Sequence, residues 1–283
     1  MIEIGSLAFR ECTSLNEITL PRDLRIIGES AFLNCSSLSQ LRLPAQIESI
    51  SEKAFYWSTS WETINIPETL KVIGQSSFDC SNLNILTSRC TELPDPLGAN
   101  TPFYQAKPHS AVAAFPTVAL TDYRNDSRFS DFMMEKNGDD KPEIKVTLQD
   151  NAVLEFAASQ FADGAAHWGE LVNGMTLFAP KGTELVWRLP EELHKDCRIL
   201  YNGQDMTQSL EAGLLRLPAL TTDSTLEFLS DAAVEAVDAD LRNGEFAIYT
   251  LDGMQLDAGS LSGLKSGMYI LRYADGHTKK III

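Results

Sequence analysis

Four phenylalanines, Phe9, Phe32, Phe55 and Phe78, follow one another at intervals of 23 residues, and other columns keep step with them. Ile4, Ile27, Ile50 and Ile73 form one column, Ala8, Ala31, Ala54 and Ser77 another, and Leu20, Leu43 and Ile66 a third, while Pro21, Pro44 and Pro67 close each unit. A fixed period of this size means one short supersecondary unit repeated and stacked, because a single unit cannot bury its own apolar side. Within one unit, Leu15-Asn16-Glu17-Ile18-Thr19-Leu20-Pro21 suits a short strand ended by Pro21, which has no amide proton to give a ladder. Leu24–Ile27 reads as a second extended piece turned by Gly28, and Glu29–Phe32 as a single helical turn that drops its ring into the core.

The 283-residue chain is 44% hydrophobic and 22% charged, ordinary for a folded protein of two or three domains. Its 39 acidic and 23 basic residues leave a net charge of −16, which repels phosphate backbones and anionic lipid surfaces, so nucleic acid is a poor candidate partner. No run of about 18 apolar residues occurs, so no membrane span is expected. The first residues carry no basic region followed by an apolar stretch. The chain also begins inside a repeat, whereas an exposed solenoid end normally carries a polar cap. The expectation is a piece of a longer protein whose first repeats and any export signal lie upstream. Of five cysteines, Cys12 and Cys35 share a repeat position with Ser58 and Ser81 and read as a buried small-residue column. Stacked side chains in register reach the near-perpendicular disulfide torsion poorly. Cys80 and Cys90 could instead pair in an oxidising compartment, and the spacings fit no zinc pattern.

The wording Ile-Gly-x-x-Ala-Phe-x-x-Cys-x-x-Leu-x-x-Ile-x-Leu-Pro is similar to the BspA-type leucine-rich repeat, also called the Treponema pallidum repeat, of surface proteins in Bacteroidetes, spirochaetes and some protozoa. Three full copies and part of a fourth carry the resemblance. It implies a leucine-rich repeat solenoid with short helical turns over residues 1–136, C-terminal cap included. After Phe78 the period loses one residue, and Cys90–Pro96, Pro102-Phe103-Tyr104 and Phe115–Leu120 with Tyr123 and Phe129 resemble the family's closing segment. That segment would cover the last apolar face, leaving Arg124, Asn125, Asp126, Ser127 and Arg128 in water.

Lys136–Pro142 is polar and turn-rich and reads as a boundary. Period-two runs follow at Ile144/Val146/Leu148, Leu185/Trp187/Leu189 and Leu226/Phe228, which predict a small antiparallel β domain over 137–232, sandwich-like in architecture. Asn202-Gly203 between two apolar runs signals a hairpin, and Arg198–Thr207 resembles a β module common in Bacteroides surface proteins. Residues 233–283 open on an acidic, small-residue linker, Asp231–Asp240. Three strands follow, with turns at Asp252-Gly253 and Asp275-Gly276. Their wording resembles a type A sorting tail of the Bacteroidetes type IX secretion route, although the Pro-Asn-Pro stretch that usually opens such tails is missing before Phe246.

Chemistry is sparse. His109, His167, His194 and His277 are scattered with no ligand spacing. No Gly-x-Ser-x-Gly elbow or phosphate-binding Gly-Lys-Ser/Thr loop occurs. Asp139 with Asp140, and Asp238 with Asp240, lack the ligand-rich, glycine-turned loop that calcium needs. No catalytic residue, metal site or cofactor is expected. Trp61 falls in the Leu15/Leu38 column and reads as core, whereas Trp57 could stand exposed and stack on a sugar. A solenoid offers instead a continuous strand surface with variable outward side chains. In this register those are Glu17, Gln40 and Thr63 in one column and Thr19, Arg42 and Asn65 in the next, and they are the candidate ligand-binding residues. The resemblance implies a non-enzymatic cell-surface or secreted protein that adheres to, or binds, host or matrix proteins. A glycan-binding accessory of polysaccharide use is the alternative, favoured by exposure of Trp57, Trp168 or Trp187 on one face. A passive spacer is the third.

Overall fold

The computed structural model describes residues 2–38, 42–58, 61–79, 81–98, 101–148, 152–159, 168–190, 193, 197–230, 246–250, 255–256, 268–273 and 278–282. The chain is mainly β. Its first ten strands are β1 (Glu3–Ile4), β2 (Ile26–Ile27), β3 (Ser49–Ile50), β4 (Thr63–Ile66), β5 (Val72–Gly74), β6 (Phe78–Asp79), β7 (Ile85–Ser88), β8 (Asp95–Leu97), β9 (Phe103–Tyr104) and β10 (Val112–Pro116). Strands β1, β2, β3, β5 and β8 make one parallel sheet in that order. Ile4, Ile27, Ile50 and Ile73 lie in register along it and are buried. The 23-residue period is thus the path length from one rung to the next. The phenylalanine column follows the same geometry: Phe9, Phe32, Phe55 and Phe78 stack ring on ring at 5.0, 5.2 and 5.3 Å, close to the spacing of about 4.8 Å between adjacent strands.

The second extended piece of each unit forms as expected, but the Leu15-type strand matures only down the stack. Glu17 keeps a single bridge, whereas β4, β7 and β10 pair in parallel with Ile64, Leu86 and Ala113 in register. Thr63 pairs with Ile85, 22 positions on, which is where the sequence has lost a residue. The expected helical turn at Glu29–Phe32 is not a helix. Ser30 and Asn34 stand at φ 54° and 59°, and the same left-handed positions recur at Leu7, Glu11, Lys53, Trp57 and Ser76. The cause is competition for amide protons. Phe32 N–H donates to Ala54 O and Asn34 N–H to Tyr56 O on the next rung, at 2.8 Å each, so a helical ladder cannot claim them. The rungs lie so close at the Gly74 turn that a Cβ there would stand 2.3 Å from the backbone nitrogen of Glu52, and only glycine fits.

The Cys12/Cys35/Ser58 column does more than fill space. Cys35 Sγ donates to Phe9 O at 3.1 Å and Ser58 Oγ to Phe32 O at 2.9 Å, so the position selects a small side chain with a donor. Cys12 is exposed. Cys90 is a free thiol that donates to Pro67 O at 3.2 Å, and Cys80 lies outside the described residues.

Strand β10 leads into helix α1 (Leu120–Asn125) and a 3-10 turn at Ser130–Met133, and together they close the stack. Phe115, Tyr123 and Phe129 are fully buried, and Phe103 meets Phe129 and Phe132 edge-on at 5.5 Å. Arg128 does not face water as expected. It is folded onto Asp126 and donates to Pro94 O at 2.8 Å with only 13% of its side chain exposed. The polar stretch at 136–142 holds a second surprise. Lys141 is 1% exposed, and its Nζ donates to Pro108 O, Ala111 O and Phe132 O at 2.7, 2.7 and 2.9 Å. Its Nζ thus ties the last repeat loop to the capping turn.

Among the described residues, ten strands follow before residue 231: β11 (Glu143–Leu148), β12 (Val153–Ala158), β13 (Gly169–Val172), β14 (Met175–Phe178), β15 (Leu185–Arg188), β16 (Cys197–Tyr201), β17 (Gln204–Asp205), β18 (Leu210–Glu211), β19 (Leu214–Arg216) and β20 (Ser224–Ser230). The repeat sheet does not end at its cap. Strand β10 pairs antiparallel with β14, giving one eight-stranded sheet in the order β17-β16-β20-β11-β14-β10-β7-β4. It is mixed rather than purely antiparallel, because β11 and β20 run parallel. The chain between them builds the second sheet, β13-β12-β15-β19-β18, and a detour of that length allows a parallel return. The period-two residues Ile144, Val146 and Leu148 share one apolar core with Phe156, Trp187 and Leu215 of the second sheet. Asn202-Gly203 makes the expected two-residue hairpin between β16 and β17, at φ 50° and 76°. In the tail, β21 (Phe246–Thr250), β22 (Gln255–Leu256), β23 (Met268–Tyr273) and β24 (Thr278–Ile282) form an antiparallel sheet in the order β22-β21-β23-β24. The linker 231–240 and both Asp-Gly turns of the tail lie outside the described residues.

Candidate functional site

The strand face of the repeats is not open along its whole length. Strand β13 lies against it, and the polar side chains that point out from the repeats become the means of attachment. Asn65 is the centre. Its Oδ1 accepts from Glu170 N–H at 2.9 Å and from Thr87 Oγ1 at 2.7 Å, and its Nδ2 donates to Trp168 O at 3.3 Å. Around it runs a charged clasp. Arg42 donates to Glu155 and Glu170 at 3.2 Å each, Arg89 donates to Glu170, and Arg188 donates to Glu155 at 2.9 Å. The Arg188 guanidinium also lies 3.8 Å from the Trp168 ring centroid, a cation-π contact that fixes the indole at the rim.

Between this wall and the first repeats lies a groove of about 770 Å³. Glu17, Thr19 and Arg42 line its open side and are exposed, while Trp61, Thr63 and Asn65 line its deeper part. Gln40 lies outside the described residues. Five of the six residues picked from the repeat register therefore converge on one concavity, with Trp168 and Glu170 of the second sheet opposite. Nothing in the repeat pattern indicates Trp168 and Glu170. Four arginines, Arg22, Arg25, Arg42 and Arg89, and three carboxylates, Glu17, Asp23 and Glu170, border the groove. Glu48 pairs with Arg25 and Glu155 with Arg42, so the charges around the groove are close to balanced. Trp61 Nε1 and Thr63 Oγ1 are buried with no hydrogen-bond partner, an uncommon state for buried donors.

Among the described residues no group of three or more His, Cys, Asp or Glu is placed to hold a metal ion. The most perturbed ionisable groups, Lys141 and Tyr123, belong to the cap. Burial lowers Lys141 to about 7 and raises the Tyr123 phenol, which is held between Ser88 Oγ and Cys90 O. His109 Nδ1 meets Met134 O at 3.0 Å. Asp140 is paired with Arg124 at 2.7 Å, and Asp139 with Asn137. The tryptophans divide sharply: Trp61, Trp168 and Trp187 are buried, and Trp57 is 51% exposed.

Residues 1–95 match the BspA type leucine rich repeat region, in six copies. The stretch that matches carries the Phe stack, the glycine turns and one wall of the groove. Among solved structures, the chain is similar to a leucine-rich repeat protein of T. pallidum, with 33% identity over 35% of this chain and 45% of that one at a TM-score of 0.31. It is also similar to a leucine-rich repeat protein from Bacteroides ovatus, with 30% identity over 38% of this chain and 30% of that one, again at a TM-score of 0.31. The chain therefore spans less than half the length of either. A search of curated proteins found no match. No helix among the described residues is long and apolar enough to cross a membrane.

Proposed function

We propose that this chain is a non-enzymatic, surface-displayed or secreted interaction module that holds a segment of a host or matrix protein in the groove between its BspA-type repeats and β13. The convergence of Glu17, Thr19, Arg42, Thr63 and Asn65 on one concavity facing Trp168 and Glu170 carries this reading. The groove sets Glu17, Thr19 and Arg42 on its open side with Trp61 and Trp168 buried behind them, so a partner meets polar and charged side chains, among which arginine is a residue that concentrates binding energy in protein interfaces. An acidic side chain of the partner competes with Glu155 and Glu170 for Arg42, whose own side chain is 76% exposed. Exposed ion pairs of this kind are worth about 1 kcal/mol or less, so the exchange has a low cost. The 1–136 repeat unit, the 137–232 β unit and the 233–283 tail act in this reading as receptor face, buttress and terminal module.

The test is surface plasmon resonance over immobilised extracellular-matrix and plasma proteins, with wild type beside Glu17→Ala/Arg42→Ala. A partner bound by wild type and weakened about tenfold in the double variant supports the groove. Equal binding by both chains, or no binding at all, sinks it.

A further inference from the structure

Each rung of the repeat stack has two neighbouring residues on the edge formed by its left-handed turn. One column reads Arg10, Leu33, Tyr56, Asp79 and Tyr104, the next Glu11, Asn34, Trp57 and then Gln105. Asn34 N–H donates to Tyr56 O, and Asp79 pairs with Tyr104, so the columns are contiguous in space. In the second column all four named residues have positive φ: 61°, 59°, 61° and 56°. Asparagine is at home in that conformation and tryptophan is not. The chain nevertheless places its one exposed indole there, 51% accessible. A strained residue held open to solvent is a pointer to a role.

The indole is also fixed. Trp57 packs on Tyr56 at 5.1 Å and 28°, and Tyr56 reaches across a rung to Tyr104 at 4.9 Å. The result is an aromatic ridge bordered along its own column by a carboxylate, Glu11, and two planar amides, Asn34 and Gln105. Of the other large exposed apolar side chains among the described residues, Ile2, Leu7, Leu97, Val118 and Val153, none belongs to either column. An interface for another protein normally surrounds its aromatic anchor with apolar area, and this ridge lacks it. Aromatic faces flanked by amides and carboxylates suit a ligand whose rings present C–H groups on their faces and hydroxyls at their rims. The charge of the chain, −16, disfavours an acidic polymer.

We infer that the Tyr56/Trp57/Tyr104 ridge is a binding site for a neutral glycan, with a pyranose face stacked on Trp57 and its hydroxyls met by Asn34 and Gln105. The site is separate from the groove, and its ligand class is different. The left-handed column sets its direction, so a glycan chain runs along the stack from rung to rung.

The experiment is affinity electrophoresis of the full chain through gels holding neutral polysaccharides (an α-glucan, a β-glucan, a mannan and a galactan), followed by titration with oligosaccharides of the retarding one while tryptophan emission is recorded. Wild type, Trp57→Phe and Trp57→Asn are compared. The inference expects at least one polysaccharide to retard wild type, Trp57→Asn to lose about tenfold in affinity, and Trp57→Phe to keep part of it. It expects the emission change to vanish in both variants. Trp57→Asn places asparagine where the column already accepts it, so it melts no lower than wild type and a binding loss cannot be assigned to misfolding. Retardation of wild type by none of the four, equal retardation of Trp57→Asn, or a Trp57-dependent interaction with a protein that carries no glycan overturns the inference.

Discussion

Asn65 of β4 and Glu170 of β13 lie 105 positions apart, and the Glu170 amide donates to the Asn65 side-chain carbonyl at 2.9 Å. One side chain thus bridges the repeat stack and the sheet that follows it, because Asn65 also holds Trp168 O and Thr87 Oγ1. Removing it with Asn65→Ala leaves three partly buried groups without their partner. The expected loss is about 2 kcal/mol, with amide exchange rising at residues 169–172 before it rises in the Phe stack. Hydrogen exchange resolved by peptide checks this; unchanged exchange at 169–172 would mean that the clasp of arginines holds the wall alone.

Lys141 gives a pH-dependent prediction. Burial lowers its folded-state pKa from the ordinary 10.5 to about 7. Between those values the unfolded chain carries a proton that the folded chain does not, so stability rises with pH across that window. Below about pH 7 the charged form is present in both states and the full desolvation cost is felt. Thermal melts of wild type between about pH 7 and 9.5 should rise relative to Lys141→Met, which lacks the group. Lys141→Met should itself be about 3 kcal/mol less stable at neutral pH, since Pro108 O, Ala111 O and Phe132 O lose their donor. A difference between the two chains that does not vary with pH would show that Lys141 stays charged in the fold.

Thr63 is expected to respond in the opposite sense. Its Oγ1 is buried with no partner, so Thr63→Val exchanges an unsatisfied hydroxyl for a methyl of the same shape. Stability should rise by about 1 kcal/mol. Chemical denaturation measures it, and a loss instead would assign the hydroxyl a partner in solution.

Trp57→Asn should also stabilise the chain, by about 1 kcal/mol, because the left-handed backbone at φ 61° suits asparagine as it does at Asn34. The same denaturation experiment checks this, and a fall in stability would show that stacking on Tyr56 outweighs the backbone strain.

The repeat stack was readable because repetition multiplies weak signals. One Phe at a turn says little, whereas four at a fixed interval, with Ile4, Ile27, Ile50 and Ile73 in step, define a rung. The cap aromatics Phe115, Tyr123 and Phe129 and the Asn202-Gly203 hairpin were legible for the local reasons given. What escaped was non-local. Glu29–Phe32 read as a helical turn because its amides compete for partners on a different rung, which a single unit does not reveal. Lys141 sits in a polar, turn-rich stretch, and only the three carbonyls that fold around it make burial tolerable. The outward side chains Arg42, Thr63 and Asn65 were found, but their neighbours Trp168, Glu155 and Glu170 come from strands more than 100 positions away with no pattern linking them. The donor role of Cys35 and Ser58 had a signal: the column Cys12, Cys35, Ser58 and Ser81 holds only small residues that carry a proton on the side-chain heteroatom.

The most direct test of the groove is a hydrogen-exchange footprint of the chain with a matrix or plasma protein that it captures, compared with the chain alone. The prediction is that residues 17–25 and 168–172, from the two walls, slow together in the complex, while β21–β24 are unchanged. Slowing confined to one wall, or to the Trp57 edge, would contradict a binding site built jointly by the repeats and β13.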